Sequence, residues 1–518
     1  MAEVATGYFQ KFLENINGFW EERENIYIYG AGKYAKNMYQ FLNRHDKMIK
    51  GFLVTGRTEG NYEGKPVIPI QSIAGELDSS VGIILAMKAA FQNEVRDEYG
   101  ELFGTRAVGL LFVDELILQS ICMGPEEGRM EEWRRQFGFG QNIDKDTWKN
   151  ILVIHLEQVI GDYIWGTAFL RELRANLPES HITYVVSERA YGIFQNCPYV
   201  DNLLLYGTQT TEMYSEDMEE GVKAFVEAYL GSRQYDVVFM AKAVPHNEYE
   251  VVENVLMALY SRAKVCIAHG HYIFLKEIIY TDFWKSLFPI MVLHDKAEHD
   301  VSKDLSLLRI CGFNIRNEKM ELWTSPEEKK WARDLLEDFL QPGGKIVIAL
   351  GVAAREPRRS WPAEAYVELI RRMGTRNQQL CYVIFGGDNA VEAAEIITKS
   401  SANILNIAGK TTLSESIAVM EECHIYVGSD TSLLHMAAAF GHPVVELTAN
   451  LKDGCETDMG HPVRTGPWKV PGKVIYPQKQ LDGCTHVCEK EYAHCITQID
   501  VGEVEEAVQD MIDSYCKA

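Results

Sequence analysis

Short apolar runs alternate with segments of helical periodicity along most of the chain. This alternation is typical of βαβ units, in which helices join parallel strands. The runs that predict strands fall into three blocks: NIYIYG, IKGFLV, VGIILA and AVGLLF; then ILVIHL, HITYVV, NLLLY, YDVVFM and AKVCIA; and finally GGKIVIAL, LCYVIF, ANILNI, CHIYVG and HPVVEL. We therefore predict an α/β protein built from three Rossmann-like blocks.

The length of the chain agrees with three domains. Its 518 residues exceed one ordinary core, since a domain usually holds about 150 residues. A charged stretch follows the first block, and SPEEKKWARDLLEDFLQPGG, with its Ser cap, Pro and terminal Pro-Gly-Gly, predicts a helix between the other two. We predict domains at residues 1–120, 150–325 and 326–518, with a linker at 121–149.

Composition excludes several classes of protein. A formal net charge of −23 disfavours a nucleic-acid partner, which needs a dense Lys/Arg surface, and wide contact with anionic lipid. The N-terminus lacks a basic start followed by an apolar core, and no apolar run reaches about 18 residues. Seven of the eleven cysteines are scattered, as expected of reduced thiols. We expect a cytoplasmic protein with at most peripheral membrane contact.

The first block contains the glycine order of a dinucleotide-binding turn. NIYIYGAGKYAKN places Gly30 and Gly32 after a strand, as in G-x-G-x-x-A. An NAD site needs an acid roughly 20 residues later, where FLVTGR offers Thr55 and Arg57. The glycines indicate either a weak nucleotide site or only a tight turn. The block resembles the small Rossmann-like domains in front of sugar O-acetyltransferases and other polysaccharide-assembly enzymes, which implies nucleotide-sugar binding or a role in assembly.

Two turns in the later blocks place charged side chains at the ends of strands. In ILVIHLEQVIGDYIWG, Gly161 turns the chain and Asp162 stands at the start of a helix. In LGVAAREPRRSWP, Gly351 closes a strand, and the loop after it carries Arg355 and Arg359. A guanidinium grips phosphate oxygens in bidentate fashion. The alternatives are that the acid only caps its helix and that the arginines form a solvated surface.

A third turn, in YVGSDTSLLHMAAAFGHPVVEL, predicts an anion site. Asp430, Thr431 and Ser432 stand where a strand ends and a helix of small residues begins. The unpaired N–H groups at such a start suit a pyrophosphate. His435 lies one turn later, on the same face as Thr431. The alternative is that Asp430 caps the helix and His435 packs in the core.

Taken in order, these motifs resemble glycosyltransferase family nine, the lipopolysaccharide heptosyltransferase family. The matching sequences are ILVIHLEQVIGD with LRELRANLP, NCPYVDNLLLYG, RRSWP, VIFGGDNAVEAAE, NIAGKTTLSESIAVM, VGSDTSLLHMAAAFGHPVV and HCITQIDVGEVEEAV. The resemblance spans roughly residues 150–515. It implies a GT-B fold, in which two Rossmann-like domains face each other across a cleft and the C-terminal one holds most of the nucleotide sugar.

The resemblance also implies residue roles. Asp162 matches the family's general base, and Arg359 stands where a Lys usually contacts the donor phosphates. Thr411 matches a base-contacting position, and Asp388 or Glu392 lies near the ribose-binding acid. The residues predicted to bind the donor are Gly161, Gly351, Arg355, Asp388, Glu392, Thr411, Asp430, Thr431, Ser432 and His435.

We therefore predict an inverting glycosyltransferase that moves heptose or a related sugar to a hydroxyl of a glycan, lipid-linked glycan or protein. Asp162 takes the proton of the hydroxyl, while Arg359 and the helix start stabilise the departing diphosphate without a metal. An ADP-heptose-like donor is implied, although Ser432 replaces the family's Gly. The alternatives are a nucleotide-sugar-binding regulatory protein or an NAD-linked sugar-modifying enzyme, and a homo-oligomer stays open.

Four cysteines near the C-terminus form a weaker metal candidate: Cys455, Cys484, Cys488 and Cys495. Four thiolates suit zinc or iron, and CTHVCEKEYAHC has the spacing C-x3-C-x6-C. That spacing is not that of a common zinc ribbon, and similar cysteines recur in the family without an obvious metal. We predict no metal, and we interpret the D-x-D sequence Asp144-Lys145-Asp146 in the linker as solvated charge.

Overall fold

The computed structural model describes most of the chain. The described residues are 12, 14–44, 46–55, 60–73, 75, 77–87, 108–113, 132–133, 135–207, 216–241, 248–269, 287–292, 294, 297–338, 345–376, 379–456, 460–479, 481–482, 484, 488 and 490–515. Arg57 of the predicted first turn lies outside them. No helix within these ranges has the length and apolar character needed to cross a membrane.

Three six-stranded sheets organise the described residues. The first contains β1 Asn25–Tyr29, β2 Gly51–Val54, β3 Gly60–Tyr62, β4 Lys65–Pro69, β5 Val81–Leu85 and β6 Gly109–Phe112. The second contains β7 Asn150–His155, β8 His181–Ser187, β9 Asn202–Tyr206, β10 Val237–Met240, β11 Val265–His269 and β12 Ile290–Val292. The third contains β13 Ile346–Gly351, β14 Leu380–Phe385, β15 Ile404–Asn406, β16 Ile425–Ser429, β17 Val444–Leu447 and β18 Gly472–Ile475.

Helices connect most of these strands. They are α1 Lys33–Arg44, α2 Ile160–Trp165, α3 Thr167–Asn176, α4 Tyr191–Phe194, α5 Glu216–Phe225, α6 Glu248–Tyr260, α7 Asp300–Arg309, α8 Pro326–Leu335, α9 Ala363–Arg376, α10 Val391–Thr398, α11 Leu413–Glu421, α12 Ser432–Ala439, α13 Pro462–Thr465 and α14 Val501–Tyr515. The predicted helix between blocks two and three is α8, where Ser325 and Glu328 form a capping box. The α/β prediction is confirmed.

Each sheet has the strand order of a doubly wound fold. The orders are β3-β4-β2-β1-β5-β6, β12-β11-β10-β7-β8-β9 and β15-β14-β13-β16-β17-β18. All pairings are parallel except the short antiparallel pair β3–β4. The chain reverses direction across each sheet beside its first strand: between β1 and β5, between β7 and β10, and between β13 and β16. Ligands bind in doubly wound sheets outside the carboxyl ends of strands at such a switch point.

Part of the stretch predicted as a linker is packed against the second sheet. Gly140 forms a parallel bridge to Val265, and Trp148 is buried with its ring against Phe239 and Phe313, at centroid distances of 5.9 and 6.1 Å. Gly140 and Trp148 are therefore anchored to the second sheet, where two large apolar contacts outweigh the surrounding charge, and the bounds of the linker stay a prediction.

The chain divides into two compact units. One consists of residues 1–138, 209–221 and 271–289, and it contains the first sheet. The other consists of residues 139–208, 222–270 and 290–518, and it contains the second and third sheets. Apolar side chains from both of those sheets form one continuous core, including Val153, Phe239, Val347 and Val383. The domain boundaries proposed from the sequence stay a prediction.

Candidate functional site

The turn that presents Asp162 is held by buried hydrogen bonds. The Glu157 carboxylate accepts from the backbone N–H groups of Gln158 and Val159, at 2.6 and 3.0 Å. The Tyr163 hydroxyl accepts from the Glu157 N–H at 2.9 Å. Val159 is the N-cap residue of α2, and Asp162 lies buried in the first turn of that helix. Asp162 is therefore not the helix cap, which was the structural alternative for this acid.

The start of α2 packs directly against α12. A Cβ atom at Gly161 would stand 2.9 Å from Cδ2 of His435, so glycine allows this approach. The Trp165 indole N–H donates to Nδ1 of His435 at 3.2 Å. Because an indole nitrogen can only donate, Nδ1 accepts and the ring hydrogen belongs on Nε2. That nitrogen lies 3.5 Å from Oδ1 of Asp430.

Asp430 is the buried anion at the centre of this contact. Arg359 Nη2 lies 2.6 Å from Asp430 Oδ2 and also donates to the Asp430 carbonyl. The Thr465 hydroxyl donates to the same carboxylate oxygen at 3.3 Å. Burial acts to raise the pKa of Asp430, but Arg359, His435 and Thr465 together hold it below its usual value. The Arg359 side chain is 32% exposed to solvent, so it is open to a ligand on one side.

The first turn of α12 follows Asp430. Thr431 is the N-cap residue in extended conformation, and its side chain makes no capping hydrogen bond. The first N–H groups of a helix have no partner within the helix, and the helix dipole makes this end positive. Asp430 and His435, with Ser432 at the first helical position, thus line a helix start beside an arginine, which suits a phosphate group.

Two glycines allow close approach at the switch point of the third sheet. A Cβ atom at Gly351 would stand 2.1 Å from the Tyr426 hydroxyl, and one at Gly428 would stand 2.5 Å from the Gly351 carbonyl oxygen. Tyr426 donates to the Ser429 carbonyl at 2.9 Å. Gly351 and Gly428 pair with each other near the carboxyl ends of β13 and β16. The segments that follow these two strands carry Arg359 and Asp430.

Glu446 is a buried acid that the sequence analysis missed. It lies on β17, is fully buried, and neither carboxyl oxygen has a hydrogen-bond partner among the described residues. Burial, followed by the nearby charge of Asp430, raises the pKa of Glu446 well above its usual value. The run HPVVEL predicts a strand, but it does not show that Glu446 faces inward beside Asp430.

A second buried ionic cluster lies near Asp162. Asp300, at the start of α7, contacts Lys303 at 2.5 Å and Arg464 of α13 at 3.1 Å. Asp304, one turn later, has a pKa raised well above its usual value by burial first, then by Asp300 and Asp162. Burial and the charges of Asp300 and Asp162 thus all favour the protonated form of the Asp304 carboxyl. No sequence motif pointed to this cluster.

The remaining predicted donor residues lie further along the same sheet edge. Asp388 and Glu392 are exposed after β14, and Thr411, half-buried after β15, contacts the Ser416 hydroxyl at 2.7 Å. Arg355 is exposed in the loop before Arg359. Within the described part of the chain, no hydrogen bond or ion pair joins these four side chains to the Arg359–Asp430 pair. Their roles stay predictions.

The other sequence candidates lie elsewhere. Gly30 has a φ of 96°, in the region that favours glycine, and Gly32 directly precedes α1. Cys484, Cys488 and Cys495 do come together, but the fourth member of their group is His494. Cys455 is exposed in the loop after β17 and is not part of that group, so its inclusion was wrong.

Comparisons with known proteins identify this arrangement. The model of glycosyltransferase family 9 (heptosyltransferase) matches residues 240–481. Lipopolysaccharide core heptosyltransferase OpsX of Haemophilus influenzae is 22% identical over 367 residues, covering 64% of this chain and 94% of that protein.

Two solved structures show the same fold. The family 9 glycosyl transferase of Veillonella parvula has a TM-score of 0.57 at 19% identity, covering 71% of this chain and 98% of that chain. ADP-heptose lps heptosyltransferase II of Escherichia coli has a TM-score of 0.51 at 19% identity, covering 70% of this chain and 99% of that chain. The protein is a glycosyltransferase with a GT-B fold. More particularly, residues 240–481 match the family 9 model, and the chain is similar to heptosyltransferases of that family.

Proposed function

We propose that the protein transfers heptose from ADP-heptose to an acceptor hydroxyl with inversion of configuration. The observation that carries this proposal is the contact of Gly161 with His435. It brings the helix of Asp162, at the switch point of the second sheet, against the helix that follows Asp430, at the switch point of the third. A base and an anion site on facing helices are what a single displacement on a nucleotide sugar needs.

Asp162 is the proposed general base. An acceptor hydroxyl is a weak nucleophile at neutral pH, so a carboxylate that takes its proton as it attacks the anomeric carbon lowers the barrier. The raised pKa of Asp304 supports this role, because burial and the charge of Asp162 both disfavour a second negative charge beside Asp162. The bond from the anomeric carbon to the diphosphate oxygen breaks on the opposite face, which inverts the configuration.

Arg359 and the start of α12 are the proposed stabilisers of the leaving diphosphate. Asp430 holds Arg359 through one nitrogen, Nη2, and a guanidinium has further donors for phosphate oxygens. Donors that are already oriented cost little reorganisation as negative charge develops. Arg and the helix N-terminus can therefore supply the charge stabilisation that a divalent cation supplies elsewhere.

The identity of the donor rests on the relatives. The solved E. coli neighbour is named for ADP-heptose, and the curated relative OpsX is a heptosyltransferase of the lipopolysaccharide core. We extend this donor to the present chain, together with an acceptor that is a glycan, a lipid-linked glycan or a protein. We also propose Gly351 and Thr411 as parts of the donor pocket and Gly30 with Gly32 as an accessory turn.

The test is a donor panel. The full-length protein is incubated with ADP-heptose, UDP-hexoses or GDP-hexoses and with glycan, lipid-linked glycan or protein acceptor fractions, and nucleotide release and acceptor mass are measured. We expect ADP release that depends on one acceptor fraction, with the mass gain of a heptose. Turnover of only a UDP or GDP donor would contradict the donor assignment, and binding without turnover of any donor would favour a regulatory protein.

A further inference from the structure

Three thiols and one imidazole nitrogen converge beside the loop of Arg359. The sulfur atoms of Cys484 and Cys488 are 3.8 Å apart, and Nδ1 of His494 lies 3.3 Å from Cys484, 3.7 Å from Cys488 and 3.5 Å from Cys495. All four ligand atoms lie within 4.8 Å of one another. A disulfide has a sulfur–sulfur distance of about 2.0 Å, so the cysteines are separate thiols.

These spacings are those of a tetrahedral metal shell. Zinc–sulfur bonds of about 2.3 Å and zinc–nitrogen bonds of about 2.0 Å give a regular tetrahedron with edges of about 3.8 Å between sulfurs and about 3.5 Å between sulfur and nitrogen. The Cys484–Cys488 distance and the three distances to His494 lie close to these values. We propose that Cys484, Cys488, His494 and Cys495 bind one zinc ion.

The ligand types indicate a structural zinc site. Three thiolates and one imidazole fill all four positions, which leaves no open position for a reacting group. Each thiol binds as a thiolate and releases its proton to solvent, while His494 binds through Nδ1 and keeps its hydrogen on Nε2. Cys488 and Cys495 are buried and Cys484 is half-buried, so the site is part of the fold rather than an exposed cluster.

The proposed zinc site supports the arginine loop. Arg358 donates through Nη1 to the Cys488 carbonyl, and the Trp361 indole N–H donates to the Ile499 carbonyl at 3.3 Å. Arg359 lies between these two anchors and contacts Asp430. Loss of zinc should therefore release one side of this loop. This consequence for the donor rests on the proposed function, whereas the zinc site itself does not.

The first test measures metal content. Full-length protein is produced in zinc-supplemented medium, freed of loose metal by gel filtration, and analysed by mass spectrometry of its elements. We expect about one zinc per chain, loss of most of it in Cys484→Ser and Cys488→Ser, and retention in the matched control Cys455→Ser. His494→Cys should keep zinc because it restores a ligand, and this variant tests the site even if a serine variant folds poorly.

Three results would overturn the site: wild-type protein without metal, zinc that persists in both serine variants, and a Cys484–Cys488 disulfide in the intact mass. Iron at the same stoichiometry would overturn the assignment to zinc. Replacement by Co²⁺ should give the strong visible absorption of tetrahedral thiolate coordination, and its absence would also count against the site.

The second test concerns the arginine loop. In Cys484→Ser, the KM for ADP-heptose should rise by about tenfold while kcat changes less, because the loop of a donor-contacting group loses an anchor. An unchanged KM in a zinc-free variant would overturn the link between the metal and the loop. Failure of the proposed function is distinguishable, since the wild-type protein would then contain zinc without turning over the donor.

Discussion

Replacement of Arg359 by alanine tests both the stability and the chemistry of the candidate site. The substitution removes the guanidinium that lies 2.6 Å from the buried carboxylate of Asp430, while His435 and Thr465 remain. Breaking a fully buried pair costs about 3–5 kcal/mol. Because the Arg359 side chain is 32% exposed, water can replace part of the contact, and we expect a loss of about 1–3 kcal/mol in the free energy of unfolding.

The same substitution should lower kcat/KM by about 10²- to 10³-fold, because a donor that faces developing charge is worth about 3–4 kcal/mol. Urea unfolding and ADP release from ADP-heptose measure the two effects. Arg359→Lys should recover most of the stability and part of the turnover, since it keeps the charge but not the fork. Arg371→Ala, which breaks an exposed ion pair with Glu368, is the matched control and should change neither quantity substantially.

The stability difference should depend on pH. A carboxyl with a depressed pKa stabilises the fold above its unfolded pKa, and this contribution is lost as pH falls through the folded pKa. Arg359 lowers the pKa of Asp430, so the wild-type advantage over Arg359→Ala should be fully present above about pH 5 and should shrink as pH falls below that value. A difference that stays constant as pH falls, or normal kcat/KM in the alanine variant, would refute the reasoning.

Three further predictions concern other parts of the molecule. Glu446→Gln should gain stability relative to wild type as pH rises from about 5 to about 8, because the raised pKa of Glu446 makes its ionisation unfavourable in the folded protein. Thermal unfolding measures this difference, and an equal pH dependence of the melting temperature in both proteins would contradict it. Trp148→Ala should cost about 3–5 kcal/mol in urea unfolding, and a loss below about 1 kcal/mol would mean that this ring is not in the core. After gel filtration into metal-free buffer, added Mg²⁺ should raise turnover by less than about twofold, and a strict requirement would contradict the proposed roles of Arg359 and α12.

The strands of the doubly wound sheets were predictable because each is a buried apolar run bounded by turn residues. Every run named from the sequence contains a strand in the structure. The strands that were missed are short: β3 and β12 have three residues each, β18 has four and β4 has five. Such short strands form because they pair with a neighbouring strand of the sheet. The local sequence pattern does not show which strand that neighbour is.

The candidate site was predictable only where local sequence builds it. The turns at Asp162 and Asp430 follow strands, so their positions at sheet edges could be derived. The hydrogen bond from Trp165 to His435 joins residues 270 positions apart, and no local pattern reports it. The sequence places Asp304 in a helix, but it does not show that the fold buries this residue near Asp162. The sequence likewise could not show that His494, and not Cys455, joins the three other cysteines, because this depends on how the C-terminal segment folds.

The central claim is that Asp162 accepts the proton of the acceptor hydroxyl, and single-turnover transfer by Asp162→Asn tests it most directly. With ADP-heptose saturating, transfer should slow by about 10²-fold or more, while donor affinity and the unfolding midpoint stay near those of the wild type. Asp304→Asn, which replaces a carboxyl whose pKa is already raised by burial, should slow transfer by less than about tenfold. Near-normal transfer by Asp162→Asn, or a larger loss in Asp304→Asn, would contradict the account.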